Sequence, residues 1–330
     1  MTAQSEGAIR LFCLVGPTAS GKTEIAVRVL APLHGKIVSA DARQIYRFLD
    51  IGTNKPDADV QRRVPVLMID LITPEQRYNA MLYARNAELQ IKRLLEQDSP
   101  FMLVGGSGLY LKALFNPFFE APQVPSEVRQ SLAAIPSSEL YQDLQKIDPE
   151  SARRIHPSDR QRIVRAMELL EMTGQTLSAL RNRTGAGALQ ARLGQSDSGT
   201  ARTRFEPYYV GLRVSRPELH RRIVERFDRM LSRGLIDEVR ELMRMGYDEA
   251  APGLDAIGYR EILGYLRGTM TLDQAKFRAC QRSLDYAKRQ VTWFRHQPHI
   301  TWIDAEDQER AATEVAHLFR KFLVTNKAPS

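Results

Sequence analysis

The chain has 330 residues and a mass of 37.5 kDa, which is too long for one compact core and predicts about two domains. Its 43% hydrophobic and 26% charged residues are typical of a globular protein and exclude disordered and collagen-like chains. The net charge of +8 is compatible with a polyanionic partner, although a basic enzyme without one would look the same.

The cysteines and the lengths of the apolar runs indicate where in the cell the protein is expected. Cys13 and Cys280 have no metal-ligand spacing, which fits a reducing cytosol. No apolar run reaches the roughly eighteen residues of a membrane-spanning helix. The segment 1–10 lacks the charged and apolar regions of a secretory signal. We therefore expect a cytoplasmic protein that does not enter a membrane.

The first third of the chain alternates predicted strands with predicted helices. Apolar runs predict strands at 11–15, 36–40, 64–71 and 101–104, and helical spacing predicts helices at 23–33 and 79–96. A further strand is predicted at 208–212, and the residues from 216 onward are expected to be helical. This alternation implies an α/β core in which a parallel sheet carries helices on both faces.

The segment 116–203 differs from the first third of the chain in its residue pattern. It opens with three closely spaced prolines, continues with helical periodicity and no convincing strand, and ends in a Gly-, Ser- and Thr-rich stretch at 184–203 that reads as a loop. We predict that 1–115 and 204–330 form the α/β core with a C-terminal helical part. The segment 116–203 would be a helical insertion of small-domain size.

A phosphate-binding loop follows the first predicted strand. The sequence G-x-x-x-x-G-K-[ST] spans Gly16, Pro17, Thr18, Ala19, Ser20, Gly21, Lys22 and Thr23, and an amphipathic helix comes next. Backbone N–H groups of such a loop surround a phosphate, and the helix amino terminus adds positive potential. Lys22 would reach phosphate oxygens, and the Thr23 hydroxyl would hold Mg²⁺. The pattern predicts a diphosphate-containing ligand and leaves the reaction open.

One acidic residue is well placed near this loop. Phosphoryl transfer requires a second acid at a strand end, but the fourth predicted strand ends in Gly105-Gly106 without one. Asp41 directly follows the second predicted strand, where parallel sheets face their ligands. From this position alone, capping of the next turn explains the residue better than catalysis.

Seven segments of the chain resemble the tRNA dimethylallyltransferases. They are GPTASGKT (16–23), SADARQIY (39–46), DIGTNKP (50–56), VGGSGLYLK (104–112), RIHPSDRQRIVR (154–165), AIGYR (256–260) and YAKRQVTWFR (286–295). The chain departs from the family pattern at Ala42, at Val66-Leu67 in place of a His pair, and at Ser107 in place of Thr. The resemblance implies a P-loop fold and transfer of a dimethylallyl group from dimethylallyl diphosphate to N6 of adenosine 37, beside the tRNA anticodon.

The resemblance also implies catalytic roles for Asp41, Thr23, Lys22 and Arg226. Asp41 would take the proton of the adenine amine, and Lys22 with Arg226 would stabilise the departing diphosphate. Arg222 shares a helix face with Arg226, but a solvated surface explains Arg222 equally well. The Gln44 amide has a donor and an acceptor and could form hydrogen bonds with the edge of an adenine. The adenosine would have to flip out of its stack to reach the pocket.

A larger set of residues is implied in tRNA binding. The set comprises Asp41, Ala42, Arg43, Gln44, Ser107, Arg129, Gln161, Arg162, Ile163, Val164, Arg165, Gly258, Tyr259, Arg260, Lys288, Arg289, Trp293 and Arg295. Basic residues cluster at 151–165, and at 280–296 they alternate with aromatics, which fits phosphate neutralisation and base stacking. Two alternatives stay open: the arginines of the insertion pair with nearby glutamates, and the aromatics lie in the core.

The expected partners are tRNA, through its anticodon stem-loop, and dimethylallyl diphosphate, with Mg²⁺ as cofactor and a monomeric enzyme. Three other functions remain: a prenyltransferase for free adenine nucleotides, a P-loop kinase using ATP, and a non-catalytic, nucleotide-regulated RNA-binding protein. The helical insertion and the basic C-terminal half argue against the first, because a small substrate needs neither.

Overall fold

The computed structural model describes residues 8–116, 124–183 and 205–326. The chain divides into two compact units, one formed by Met1–Pro117 with Arg204–Ser330 and the other by Phe118–Thr203. Within the described ranges, no helix is both long and apolar enough to cross a membrane.

The first unit is built on a six-stranded parallel sheet with the order β3-β2-β4-β1-β5-β6. The strands are β1 (Ile9–Val15), β2 (Lys36–Ala40), β3 (Val66–Leu67), β4 (Phe101–Gly105), β5 (Phe205–Arg213) and β6 (Thr301–Asp304). The predicted α/β fold is confirmed. Since β1 lies between β4 and β5, the phosphate loop that follows it emerges at the centre of the sheet edge.

Helices cover both faces of this sheet. They are α1 (Lys22–Leu30), α2 (Ala58–Arg63), α3 (Ala80–Glu96), α4 (Gly108–Phe115), and, after β5, α10 (Arg216–Ser232), α11 (Leu235–Arg244), α12 (Tyr259–Leu266), α13 (Leu272–Arg295) and α14 (Gln308–Thr325). Phe12 on β1 packs against Phe319 of α14. On the other face, Tyr83 of α3 stacks on Tyr110 of α4 and donates a hydrogen bond to the Ser39 carbonyl of β2.

Two strand predictions were wrong in detail. The strand predicted at 64–71 has only two residues, because Met68 and Asp70 adopt left-handed backbone angles (φ 67° and 54°) that interrupt an extended chain. The region after 216 is not wholly helical, since β6 pairs with β5 through Val210 and Thr301. Ile303 is the one fully buried residue of this short edge strand, so its sequence carries little strand signal.

The second unit is helical over its described residues, 124–183. Its helices are α5 (Ser126–Ala134), α6 (Ser137–Ile147), α7 (Pro149–Arg154), α8 (Arg160–Thr173) and α9 (Leu177–Arg183). Leu132, Leu140, Leu144, Ile155 and Ile163 form its apolar core. The buried Asp148 carboxylate accepts the N–H groups of Ser151 and Ser178 and thereby links α7 to α9. The loop predicted at 184–203 lies outside the described residues.

Candidate functional site

The phosphate loop occupies residues 16–21 between β1 and α1. Gly21, immediately before α1, has a left-handed backbone (φ 87°), and a Cβ there would lie 2.0 Å from the Gln308 side chain. The Lys22 ammonium curls back over the loop and donates to the carbonyls of Gly16 (3.0 Å) and Pro17 (2.6 Å). The local sequence therefore builds the strand–loop–helix cradle that the pattern predicts.

Two cations converge on this cradle without a carboxylate partner. Burial lowers the pKa of Lys22 to about 8, although the nearby Asp41 carboxylate opposes part of that shift. Burial also lowers the pKa of Arg226, and Asp41 and Glu24 oppose it. Among the described residues, neither cation has an ion pair within 4.0 Å. Partly desolvated cations that have no carboxylate partner are stabilised by an anion, so the cradle suits a diphosphate.

Asp41 lies beside the cradle at the carboxyl end of β2. Its Oδ1 accepts the backbone N–H of Arg43 at 2.8 Å and that of Gln44 at 3.4 Å. The turn-capping role is therefore real. The structure gives Oδ2 no hydrogen-bond partner among the described residues, and the side chain lines the same cavity as Lys22 and Arg226. One carboxylate oxygen thus holds the turn while the other is available to a ligand.

The cavity that joins these groups has a volume of about 520 Å³. The polar residues along its wall include Thr18, Lys22, Thr23, Asp41, Gln44, Thr53, Asn54, Arg222, Arg226, Tyr286 and Gln290. A volume of this size lies within the usual range of small-molecule sites. All catalytic residues predicted from the sequence line this one cavity.

Tyr286 lines the cavity, and Ser107 directly follows Gly105 and Gly106, which line it too. The Ser107 hydroxyl accepts the N–H of Ala42 at 2.9 Å, and the Ser107 N–H donates to the Ala40 carbonyl at 3.1 Å. Tyr286 interacts with the Ser107 side chain, and burial raises the pKa of its phenol. Sequence reasoning counted Tyr286 among the aromatics of 280–296 that could stack on bases, and did not predict its contact with Ser107. The hydroxyl at Ser107 holds the chain next to Asp41.

Gln44 is more constrained than the sequence suggests. Its Oε1 accepts from the Ser39 hydroxyl at 3.1 Å, and its Nε2 donates to the carbonyls of Thr53 and Asn54, both at 3.3 Å. In this structure, the amide therefore links the end of β2 to the loop at 53–54, and both of its ends are engaged.

Sequence reasoning also missed the residues that hold the loop 50–55. The Lys55 ammonium is buried (6% exposed) and donates to the Tyr46 carbonyl and to the carboxylates of Asp50 and Asp70. The Glu238 carboxylate accepts the N–H of Ile51 at 2.8 Å and the Tyr259 hydroxyl at 2.5 Å. The segment 50–56 pointed to this loop, but partners nearly two hundred residues away could not be inferred from it.

Comparison with known proteins shows the family to which the chain belongs. The family model described as IPP transferase matches residues 44–297. The chain belongs to the IPP transferase family. Its relatives include the tRNA dimethylallyltransferase 2 of Geotalea uraniireducens, which is 39% identical over 96% of this chain and 98% of its own length. The tRNA dimethylallyltransferase of Carboxydothermus hydrogenoformans is 37% identical over 90% of this chain and 92% of its own.

Solved structures show the same relationship. The tRNA isopentenylpyrophosphate transferase of Bacillus halodurans is 31% identical, with a TM-score of 0.68 over 96% of this chain and 97% of its own. A eukaryotic dimethylallyltransferase acting on tRNA has a TM-score of 0.78 over 97% of this chain and 81% of its own. At 22% identity, that second likeness concerns the fold alone.

In this IPP transferase, the residues of 258–295 that were predicted to contact RNA differ in their exposure. Arg260, Lys288, Arg289 and Arg295 are exposed, and the Arg289 guanidinium lies 5.8 Å from the Tyr286 ring. Gly258 has a left-handed backbone that starts α12, and Tyr259 is fully buried. Trp293 is half-buried against Gly108 and Lys112, so only part of its ring is available for stacking.

The predicted RNA residues of the second unit divide in the same way. Arg162 is largely exposed (71%), and its i,i+3 partner is Asp159. Gln161 is exposed as well, whereas Ile163 lies in the core and Val164 packs against it. The side chain of Ile163 is therefore unavailable to a surface ligand in this conformation.

The arginines around these residues are partly engaged within the unit. Arg165 and Arg129 both pair with the buried Glu168, at 2.7 and 3.5 Å. Arg160 donates to the carbonyls of Ile135 and Ala133 and to the Ser137 hydroxyl, so it secures helix ends. The alternative of internal pairing thus applies to part of the basic segment, and Arg162 stays its most exposed member among those predicted to bind RNA.

Proposed function

We propose that the protein transfers a dimethylallyl group from dimethylallyl diphosphate to the N6 amine of adenosine 37 in tRNA and releases diphosphate. One observation carries the proposal: in a member of the IPP transferase family, a phosphate cradle with two unpaired cations shares a single cavity with the Asp41 carboxylate. The cradle suits the leaving group, and the carboxylate suits the nucleophile.

The cradle would act on the leaving group. Loop N–H groups, Lys22 and Arg226 would bind the diphosphate, and they would stabilise the negative charge that develops as the carbon–oxygen bond breaks. Both cations are already partly desolvated, and Lys22 would exchange its hydrogen bonds to the Gly16 and Pro17 carbonyls for bonds to the diphosphate.

Asp41 would act on the nucleophile. The N6 nitrogen forms a bond to the prenyl carbon, and its proton passes to the Asp41 carboxylate. The turn that Oδ1 caps would hold Oδ2 at a fixed position for this transfer. An adenine can reach this carboxylate only when it is unstacked, so the substrate base would flip into the cavity.

Mg²⁺ fits the donor set of the cavity. The Thr23 hydroxyl lines the wall and has no hydrogen-bond partner among the described residues. Mg²⁺ prefers oxygen ligands and usually keeps several waters alongside substrate phosphates, so one hydroxyl beside a diphosphate suffices. When bound, Mg²⁺ would add positive charge at the departing diphosphate, and Thr23→Ala would raise the Mg²⁺ concentration for half-maximal rate.

The exposed cations supply a surface for the RNA. Lys288, Arg289 and Arg295 on α13, Arg260 on α12, and Arg162 on α8 are solvent-accessible in their own units. Such residues bind phosphates without sequence preference, whereas base identity would be read inside the cavity. The expectations of a cytoplasmic location and a monomer stay predictions.

A dual-label assay tests the proposal. The protein is incubated with unfractionated tRNA, dimethylallyl diphosphate labelled in its prenyl group, and ATP labelled in its γ-phosphate. We expect prenyl label in tRNA and no transfer of phosphate label. Phosphate label in any acceptor would favour a kinase, and prenyl label in free AMP but not in tRNA would favour the nucleotide prenyltransferase.

A further inference from the structure

Gln290 is a buried amide on α13 that none of the steps above uses. It is 6% exposed. Its Oε1 accepts the backbone N–H of Thr18 at 2.7 Å, and its Nε2 donates to the Gly106 carbonyl at 3.0 Å. Because a donor meets one end and an acceptor the other, a single orientation of the amide satisfies both partners.

The two partners belong to the two walls of the cavity. Thr18 lies in the phosphate loop, and Gly106 directly precedes Ser107, whose hydroxyl binds the N–H of Ala42 at 2.9 Å. Ala42 adjoins Asp41. A short series of contacts thus runs from the diphosphate cradle through Gln290 and Ser107 to the proposed base.

The amide occupies the space that a side chain at position 106 would fill. A Cβ added at Gly106 would lie 2.0 Å from the Gln290 Nε2, far inside contact distance. Gly106 therefore admits the amide between the two loops, and any side chain at 106 would displace it.

We propose that Gln290 is a positioning residue for prenyl transfer, which sets the phosphate loop against the loop that follows β4. This inference rests on the proposed function. Bond formation requires the prenyl carbon and the amine within about 3–3.5 Å and in line. The diphosphate that carries the carbon is held by one loop, and Asp41 and Ser107 stand on the other side. A displacement of one loop would misalign the reactants while each substrate still binds.

Gln290→Met tests the role, because it keeps the length of the side chain and removes both hydrogen bonds. Gln281→Met is the matched control, since Gln281 is exposed on the same helix. The measurements are kcat and KM for both substrates, tRNA affinity, and the melting temperature. We expect kcat of Gln290→Met to fall roughly 10- to 100-fold. Its tRNA affinity and the whole profile of Gln281→Met should match wild type.

A merely structural role gives a different profile. Gln290→Met would then melt earlier yet keep wild-type kcat at temperatures where it is folded, and this result would overturn the inference. Absence of transfer by the wild-type protein would instead refute the proposed function, so the two failures are distinguishable.

A second pair of variants keeps the test decisive if Gln290→Met does not fold. Gly106→Ala should lower kcat by displacing the amide. In a Gln290→Ala background the same change should cost little more, since the 2.0 Å contact with the amide is gone and only the milder contact with the Gly16 carbonyl at 3.2 Å is left. Two results would contradict the role of the amide. One is a wild-type kcat in Gly106→Ala. The other is a double variant whose kcat falls by the product of the two single-variant factors.

Discussion

The two oxygens of Asp41 have separable roles, and a pair of substitutions distinguishes them. Asp41→Asn retains an oxygen that accepts the N–H groups of Arg43 and Gln44, so the turn persists while the base is lost. We expect kcat to fall about 10²- to 10⁴-fold, the usual range for removal of a general base. The KM for dimethylallyl diphosphate should not rise, because the variant removes a negative charge near Lys22 and Arg226.

Asp41→Ala should show the additional structural effect. It removes the capping oxygen as well, which costs about 1 kcal/mol by analogy with helix caps. At about 2.1 cal/mol/K of unfolding entropy per residue, that loss lowers the melting temperature of a 330-residue chain by roughly 1–2 °C. The melting temperature of Asp41→Asn should equal that of wild type, and its kcat should be as low as that of Asp41→Ala.

Single-turnover prenyl transfer into tRNA, measured beside thermal melting and tRNA affinity, checks both statements. Asp237→Asn is a suitable control, since Asp237 is an exposed carboxylate on α11 that pairs with Arg240. Turnover of Asp41→Asn within threefold of wild type would refute the assignment of the base. A rise in KM with unchanged kcat would show that Asp41 binds substrate instead.

Three further predictions concern charge. Arg226→Gln and Lys22→Met should each lower kcat/KM for dimethylallyl diphosphate by roughly 10- to 100-fold, because each removes a charge-assisted contact. Their tRNA affinity should not change. Wild-type activity at limiting dimethylallyl diphosphate would show that these residues do not bind it. Arg162→Glu should weaken the binding of all tRNAs alike and reduce the salt dependence of binding (the slope of log K against log salt) by about one or more. Arg160→Gln should lower the melting temperature without altering that slope. Filter binding at several salt concentrations, together with thermal melting, distinguishes the two effects. Lys55→Met should lower the free energy of unfolding by about 1–3 kcal/mol in denaturant, because two carboxylates lose their buried partner. An unchanged unfolding midpoint would show that these ion pairs do not stabilise the protein.

The central part of the site could be predicted because its signals are local. The phosphate loop needs only a strand, two glycines and a helix, and these are consecutive in 9–30. Asp41 follows β2 directly, so the rule for carboxyl ends of parallel strands places it in the cavity. Helical spacing placed Arg222 and Arg226 on one face of α10, and the family resemblance selected Arg226. In the structure Arg222 pairs with Glu218.

What sequence reasoning missed depends on distant partners or on backbone angles. Gln290 and Thr18 are 272 positions apart, and no periodicity reports such a contact. Arg160 resembles its basic neighbours in sequence, but carbonyls at the ends of α5 engage it. The shortening of β3 follows from the left-handed Met68, which is not a residue type that predicts a turn.

The account's central claim is the identity of the modified atom, and mapping of the product tests it most directly. After incubation of tRNA with the protein, Mg²⁺ and dimethylallyl diphosphate, the tRNA is digested and its nucleosides and anticodon fragments are analysed by mass spectrometry. We predict one added dimethylallyl group on N6 of adenosine 37, formed by wild type and not by Asp41→Asn over the same time. Modification of another nucleotide or atom, or equal product from both proteins, would contradict the account.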